Sequence, residues 1–192
     1  MYQTMHEILE EGKVGSFELT KFEITQENRY FRCDIPNGKY IRLMGSGDCI
    51  MSNTSMEKRS NATFVMDAHG NVFIAGLGIG LIVLAIQDKE EVTSITILEK
   101  FPEVIELVGK QLPLNEKVKI IQGDVFDYEF TKGTKFDCLY FDIWNYVNSD
   151  VYKEMQLLKK KYRKFKRSPK DNPSSFIKCW AEYEAKHNRT LR

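Results

Sequence analysis

The 192-residue chain predicts an α/β fold, with a mostly parallel sheet preceded by an antiparallel β-hairpin element. Three observations carry that expectation. Asn71–Ala75 is a short apolar run of the kind that forms a strand covered on both faces, and it leads into glycines at every second position, Gly76, Gly78 and Gly80. Downstream, strand-like runs alternate with helix-like stretches, the pattern of strand–helix–strand units in parallel sheets. Upstream, residues 14–53 are rich in Phe, Tyr, Val and Ile and are broken by turn residues.

Along the chain, Val14–Ile24 and Arg29–Ile35 read as strands, and Pro36-Asn37-Gly38 as a tight turn into a strand over Lys39–Met44. Gly45–Asp48 turns the chain again into Cys49–Ser52. Thr54 with Glu57 three residues on has the spacing of a helix N-terminal capping box, and that helix should run to about Ala68. After the glycine strand, Leu81–Gln87 is apolar enough for a helix packed on the sheet. Ser94–Leu98 reads as the next strand, and Pro102 opens a helix with Val104, Ile105, Leu107, Val108 and Leu112 on one face. Val118–Ile121 and Lys135–Ile143 are the third and fourth strands of the series. Ser149 or Asp150 should cap a long helix in which Val151, Met155, Leu158, Tyr162 and Phe165 recur, and Ser168-Pro169 should end it. Asn172-Pro173 then predicts a last helix, with Phe176, Ile177, Trp180 and Tyr183 sharing a face. Three segments result: a β-rich element over 1–53, a core over 54–148 and basic helices over 149–192.

Composition narrows the function classes. Apolar residues make up 42% and aromatics 12%, enough for a packed core. The net charge of +1 hides an asymmetry: residues 151–192 hold 13 Lys and Arg against 4 Asp and Glu, so the first 150 carry a net −8. Cys33, Cys49, Cys138 and Cys179 are widely spaced with no CxxC, which argues against both a zinc site and a disulfide framework, and no metal is expected. Cys138 lies in an apolar strand and reads as a core residue. No apolar signal region opens the chain and no 18 apolar residues run together, so a reduced, cytoplasmic protein without a membrane segment is expected. His69 reads as a loop residue. No Ser/His/Asp or Cys/His set supports covalent catalysis.

The chemistry gathers at strand ends. Glycines after a buried strand let the backbone turn sharply and approach a ligand. Glu99 follows the second strand, where a carboxylate can accept hydrogen bonds from both hydroxyls of a ribose. Asp124 follows the third, where a carboxylate can face an adenine amino group or simply cap a turn. Asp142 ends the fourth, where it can orient or deprotonate an acceptor or form the turn. A dinucleotide fingerprint requires glycine at position 81, which is Leu81, and no Gly-Lys-Ser/Thr follows for a Walker loop. Three carboxylates with no Lys or Arg in the glycine loop suit a cationic ligand better than a pyrophosphate.

With these residues in place, the chain resembles the class I S-adenosylmethionine-dependent methyltransferases. FIAGLGIG is similar to their glycine motif, ILEK to their ribose motif, QGDVF to their adenine motif and YFDIWN to their fourth-strand motif. The resemblance covers roughly residues 45–146 and is strongest to the spermidine synthase-like branch, where a β-hairpin region and a capped helix also precede the glycine strand. It implies a Rossmann-like sheet and S-adenosylmethionine, or its decarboxylated form, as cofactor. It implies cofactor contacts at Gly76, Leu77, Gly78, Gly80, Glu99, Lys100, Asp124, Val125 and Asp142, with Asp142 also the catalytic candidate. The chain departs from the pattern in two ways. Its C-terminal side is short, with two helices where the usual fold adds three strands. The D-S-S-D-like loop of spermidine synthases is Asp142-Ile143-Trp144-Asn145 here, with an amide for the second acid.

The expectation is methyl transfer to an unidentified small-molecule acceptor, with Trp144, Asn145 and Tyr146 either lining its pocket or packing. The rivals are aminopropyl transfer, a non-catalytic cofactor-binding protein, and a nucleic-acid module using Lys159–Arg167. That tract interleaves Tyr162 and Phe165, which continue the apolar stripe, so a solvated helix face is the favoured reading. A shortened sheet also leaves an edge that a second copy would cover, a homodimer.

Overall fold

The computed structural model describes residues 2–28 and 35–190. Its centre is a five-stranded sheet of β5 (Gly70–Ala75), β6 (Val92–Glu99), β7 (Val118–Gln122), β8 (Cys138–Phe141) and β9 (Phe176–Cys179). The order is β7-β6-β5-β8-β9 and every pairing is parallel. The chain builds outward from β5 to one side, then crosses back to place β8 on the other. This reversal puts a crevice at the carboxyl ends of β5, β6 and β8, where open α/β sheets bind ligands.

Both faces of this sheet are covered, as the apolar strands require. Val72 and Ile74 of β5 and Cys138 and Tyr140 of β8 face one core, with α2 (Ser55–Asp67) and α3 (Leu81–Ile86). Phe73, Ala75, Leu139 and Phe141 face the other, under α5 (Ser149–Tyr162). There Tyr162 is fully buried, stacked on Phe73 at 5.3 Å and edge-on to Phe141 at 5.2 Å. The second sheet is antiparallel, in the order β1 (Gly12–Val14), β2 (Phe17–Ile24), β3 (Gly38–Gly45), β4 (Asp48–Ser52). Its Phe17, Leu19, Ile41 and Leu43 share the first core with Ile74, Ile79 and α1 (Met5–Ile8), so the two sheets join in one apolar interior.

Several expectations are corrected. The helix expected after Pro173 is instead β9 followed by the short α6 (Glu182–His187). Phe176–Cys179 pairs along Cys138–Phe141, because the open edge of β8 offers hydrogen bonds that helical spacing in the sequence does not reveal. The C-terminal side therefore contributes one strand to the sheet. Asn148, not Ser149 or Asp150, caps α5: its side chain accepts the N–H groups of Asp150 and Val151. The Pro102 helix, α4 (Pro102–Val104), widens at once into a π-turn over Ile105–Gly109. β8 is shorter than Lys135–Ile143, and Gly15, in the left-handed region, splits the first strand into β1 and β2. β3 pairs with β2, Ile24 opposite Gly38, so Pro36-Asn37-Gly38 closes a longer connection; the strand expected at Arg29–Ile35 lies almost wholly outside the described residues.

Much of the basic tract is satisfied internally. Lys159 pairs with Glu182, Lys161 and Lys164 with Glu129, and Arg167 with Asp137. Below the sheet His69 bridges the Asp67 carbonyl, the Cys138 thiol (3.4 Å) and Asn172 (3.2 Å). Burial pushes that thiol up to about 11, so this contact holds the protein together and presents no nucleophile. Among the described residues no helix is long and apolar enough to cross a membrane, and no group of His, Cys, Asp and Glu is arranged to hold a metal.

Tyr162 also donates its hydroxyl to the Val125 carbonyl at 2.9 Å, so it ties α5 to the loop after β7. Tyr162→Ala should cost about 3–5 kcal/mol and Tyr162→Phe about 1 kcal/mol in denaturant unfolding. Equal losses for the two variants would contradict this placement of the ring.

Candidate functional site

The parallel sheet sends all its carboxyl ends to one edge, and a cavity of about 670 Å³ opens there. The glycine loop forms its floor. Gly76 and Gly78 have φ of 97° and 53°, a region few other residues adopt. A Cβ on Gly76 would overlap the Asp142 carbonyl, and one on Gly78 the Met51 sulfur, so glycine is required here by the protein's own packing. Gly80 stands behind the loop as the N-cap of α3, with Leu112 against its Cα. It does not line the cavity, and nor does Leu77, whose side chain is buried in the core.

Glu99 fixes the loop. Only 6% exposed, it accepts the Leu77 N–H on one oxygen at 2.8 Å and the Phe101 N–H on the other at 2.9 Å. Burial pushes its carboxyl up, and the N–H groups of Phe101, Leu77 and Lys100 pull it back in part. Each carboxylate oxygen has a second lone pair, so Glu99 can still accept hydrogen bonds from a bound ligand.

Asp124 sits across the cavity, its oxygens accepting the Phe126 N–H and the Lys100 ammonium, both at 2.9 Å. Burial alone would raise its carboxyl, but Phe126 and Lys100 together hold it below the usual range. Val125 is buried beside it and lines the same space. Seven of the nine sequence-derived candidates thus share the cavity wall: Gly76, Gly78, Glu99, Lys100, Asp124, Val125 and Asp142.

Asp142 follows β8, its N–H bonded to the Ala75 carbonyl at 2.9 Å, which locks it beside the glycine loop. Its carboxylate accepts no hydrogen bond from a described residue. Burial, with the Glu57 carboxylate nearby, pushes it well above the usual range. Trp144 lines the wall and donates its indole N–H to Glu154 at 2.9 Å, while Asn145 and Tyr146 lie at the exposed mouth.

Sequence reasoning missed three contributors. Glu57, at the start of α2, lines the cavity at 8% exposed, and burial pushes its carboxyl up to about 7 against one helping N–H from Ser52. Thr54 does not complete the capping box; its hydroxyl bonds the Ser52 hydroxyl instead. The capping spacing therefore flagged the right acid for the wrong reason. Met51 enters from β4, and Trp180 from the end of β9, which read as helix. Around Glu57 stand Asp142, Tyr140, whose hydroxyl donates to Asn61, and Cys49.

No family model matches the sequence, and no curated protein matches it. Among solved structures, the S-adenosylhomocysteine-bound methyltransferase PaMTH1 of Podospora anserina is 18% identical, aligned over 68% of this chain and 53% of its own, with a TM-score of 0.46. The N-methyltransferase NodS of Bradyrhizobium japonicum is 13% identical over 58% and 63%, with a TM-score of 0.44. CalS10 of Micromonospora echinaspora, an amino pentose methyltransferase bound to S-adenosylmethionine, is 20% identical over 44% and 32%, with a TM-score of 0.32. Over the first three solved structures this chain spans only 32%, 37% and 53% of the matched protein.

The raised Glu57 carboxyl has a measurable consequence. The folded chain holds this proton more tightly than the unfolded chain, so the group's contribution to stability is full below about pH 4.5 and is lost as pH rises through about 7. Glu57→Gln removes that loss, which is about 3 kcal/mol, so its Tm should exceed that of the native chain by about 6–12 °C near pH 8 and converge towards pH 4. A variant that melts with the native chain at both pH values would show that Glu57 is not held this way.

Proposed function

We propose that the chain binds S-adenosylmethionine and promotes transfer of its methyl group to a small acceptor. One observation carries the reading: four successive parallel strands deliver Gly76–Gly78, Glu99, Asp124 and Asp142 to a single cavity whose wall is rich in acids. Among the described residues five acids, Glu57, Glu99, Asp124, Asp142 and Glu154, line it against Lys100 alone. Such a wall suits a ligand with positive charge rather than a polyphosphate.

The residues present fit the cofactor. The Gly78 N–H, on the cavity floor, donates to no described residue and is free for a ligand acceptor. Glu99 keeps lone pairs for the ribose hydroxyls, and Asp124 with Val125 and Phe126 would flank the base. The cofactor supplies a sulfonium that makes its methyl carbon electrophilic. The chain's own task is then alignment: a rigid loop to hold the donor, and walls that exclude water and position the acceptor.

Aminopropyl transfer from the decarboxylated cofactor is the second reading, favoured by Glu57 and Asp142, two acids with no cation partner among the described residues. The amide of Asn145 where a second loop acid would stand counts against it.

Calorimetric titration with S-adenosylmethionine, its decarboxylated form and S-adenosylhomocysteine tests this. Saturable binding of the first and third is expected. Glu99→Gln, which retains the side chain's shape, should weaken it by roughly 10- to 100-fold, about 1.5–3 kcal/mol. No binding of any of the three would end the proposal, and a clear preference for the decarboxylated form would favour aminopropyl transfer.

A further inference from the structure

The inner and outer ends of the cavity differ in chemistry. Inside, Glu57 and Asp142 face the same space without a cation to offset them. Lys100, the single Lys or Arg among the described lining residues, is committed to Asp124. Glu57 is nine-tenths buried, and among the described residues only the Ser52 N–H offsets the burial of its carboxyl. Carboxylates taken from water without a partner are costly, and a ligand cation between them would remove that cost. At the mouth the surface turns apolar. Phe101, Phe126, Ile143 and Tyr146 are four of the seven large apolar side chains exposed among the described residues, and all four line this cavity. Phe101 and Phe126 adjoin Lys100 and Asp124 on the cofactor side, whereas Ile143 and Tyr146 follow Asp142 on the other.

We propose that the acceptor is an amphipathic monoamine, its ammonium held by Glu57 and Asp142 and its apolar body leaving past Trp144, Ile143 and Tyr146; this rests on the methyl-transfer reading above. A diamine fits less well. Its second ammonium would have to lie among Ile143, Trp144, Asn145 and Tyr146, where the acid lining the cavity, Glu154, is exposed and its pairing is screened by water. Aromatic faces compensate a cation only in part.

The same pair accounts for activation of the amine. An ammonium has no lone pair to attack with. One N–H proton passes to the Glu57 carboxylate, the N–H bonding electrons stay on nitrogen, and a neutral amine and a neutral carboxylic acid result. The transfer runs uphill, because an alkylammonium holds its proton more tightly than a carboxylate does, and the burial that raises the proton affinity of Glu57 makes it less so. Asp142, held by its N–H to the Ala75 carbonyl, keeps the amine against the glycine loop.

The test is calorimetry on the full chain saturated with S-adenosylhomocysteine, using 2-phenylethylamine, its neutral analogue 2-phenylethanol and 1,4-diaminobutane as probes. The arylalkyl amine should bind about tenfold or more tightly than either of the others. Glu57→Gln and, separately, Asp142→Asn should each weaken the amine about tenfold while 2-phenylethanol is unaffected, and Tyr146→Ala should weaken both aryl probes. Failure of S-adenosylhomocysteine itself to bind would overturn the underlying reading. If it binds, three results would overturn this proposal: no saturable binding of the amine, an alcohol that binds equally well, or a diamine that binds better.

Discussion

The Glu99 carboxylate is the interaction on which the site depends. It stands at the end of β6 and receives the Leu77 N–H from the loop after β5 and the Phe101 N–H from its own loop. The loop after β5 and the loop after β6 are thereby fixed to one another, and the glycine loop is shaped by the protein's own groups. The cost is a buried charge, and the backbone donors offset part of it. A carboxylate already held by two backbone groups has little freedom left to lose when a hydroxyl joins it, which is what preorganisation requires.

The sheet extends this logic. Parallel strands align their carboxyl ends, so each strand exit is a place where a side chain can reach the cavity. β5, β6, β7 and β8 are paired on the shared register that brings Ala75, Leu98, Ile121 and Phe141 level. Tyr162 beneath them links α5 to the Val125 carbonyl, and the N-terminal sheet leans on the loop from the far side through Met51. The antiparallel element is thus a wall of the cavity.

Much of this was legible in the sequence, and the reasons are local. Strands buried on both faces read as unbroken apolar runs, and glycines directly after one of them mark a turn that other residues cannot make. Glu99 and Asp142 were legible because each stands at the end of such a run, and Asp124 because it follows Gly123 after the more mixed edge strand β7. What was hidden depends on partners far along the chain. Phe176–Cys179 has the apolar spacing of a helix and becomes a strand because β8 offers an open edge. Glu57 looked like a capping acid because its spacing from Thr54 is right, and only the fold turns it towards Asp142. Trp180 was mislaid with β9.

The edge position of β9 has its own consequence. It is bonded to one neighbour over four residue pairs, while β5, at the floor of the site, is bonded on both sides. Local opening in proteins starts at such edges, where few bonds must break. The wall bearing Trp180 can therefore yield while the glycine loop stays fixed. One half of the cavity is thus held rigidly from both sides, and the other is held from one side only.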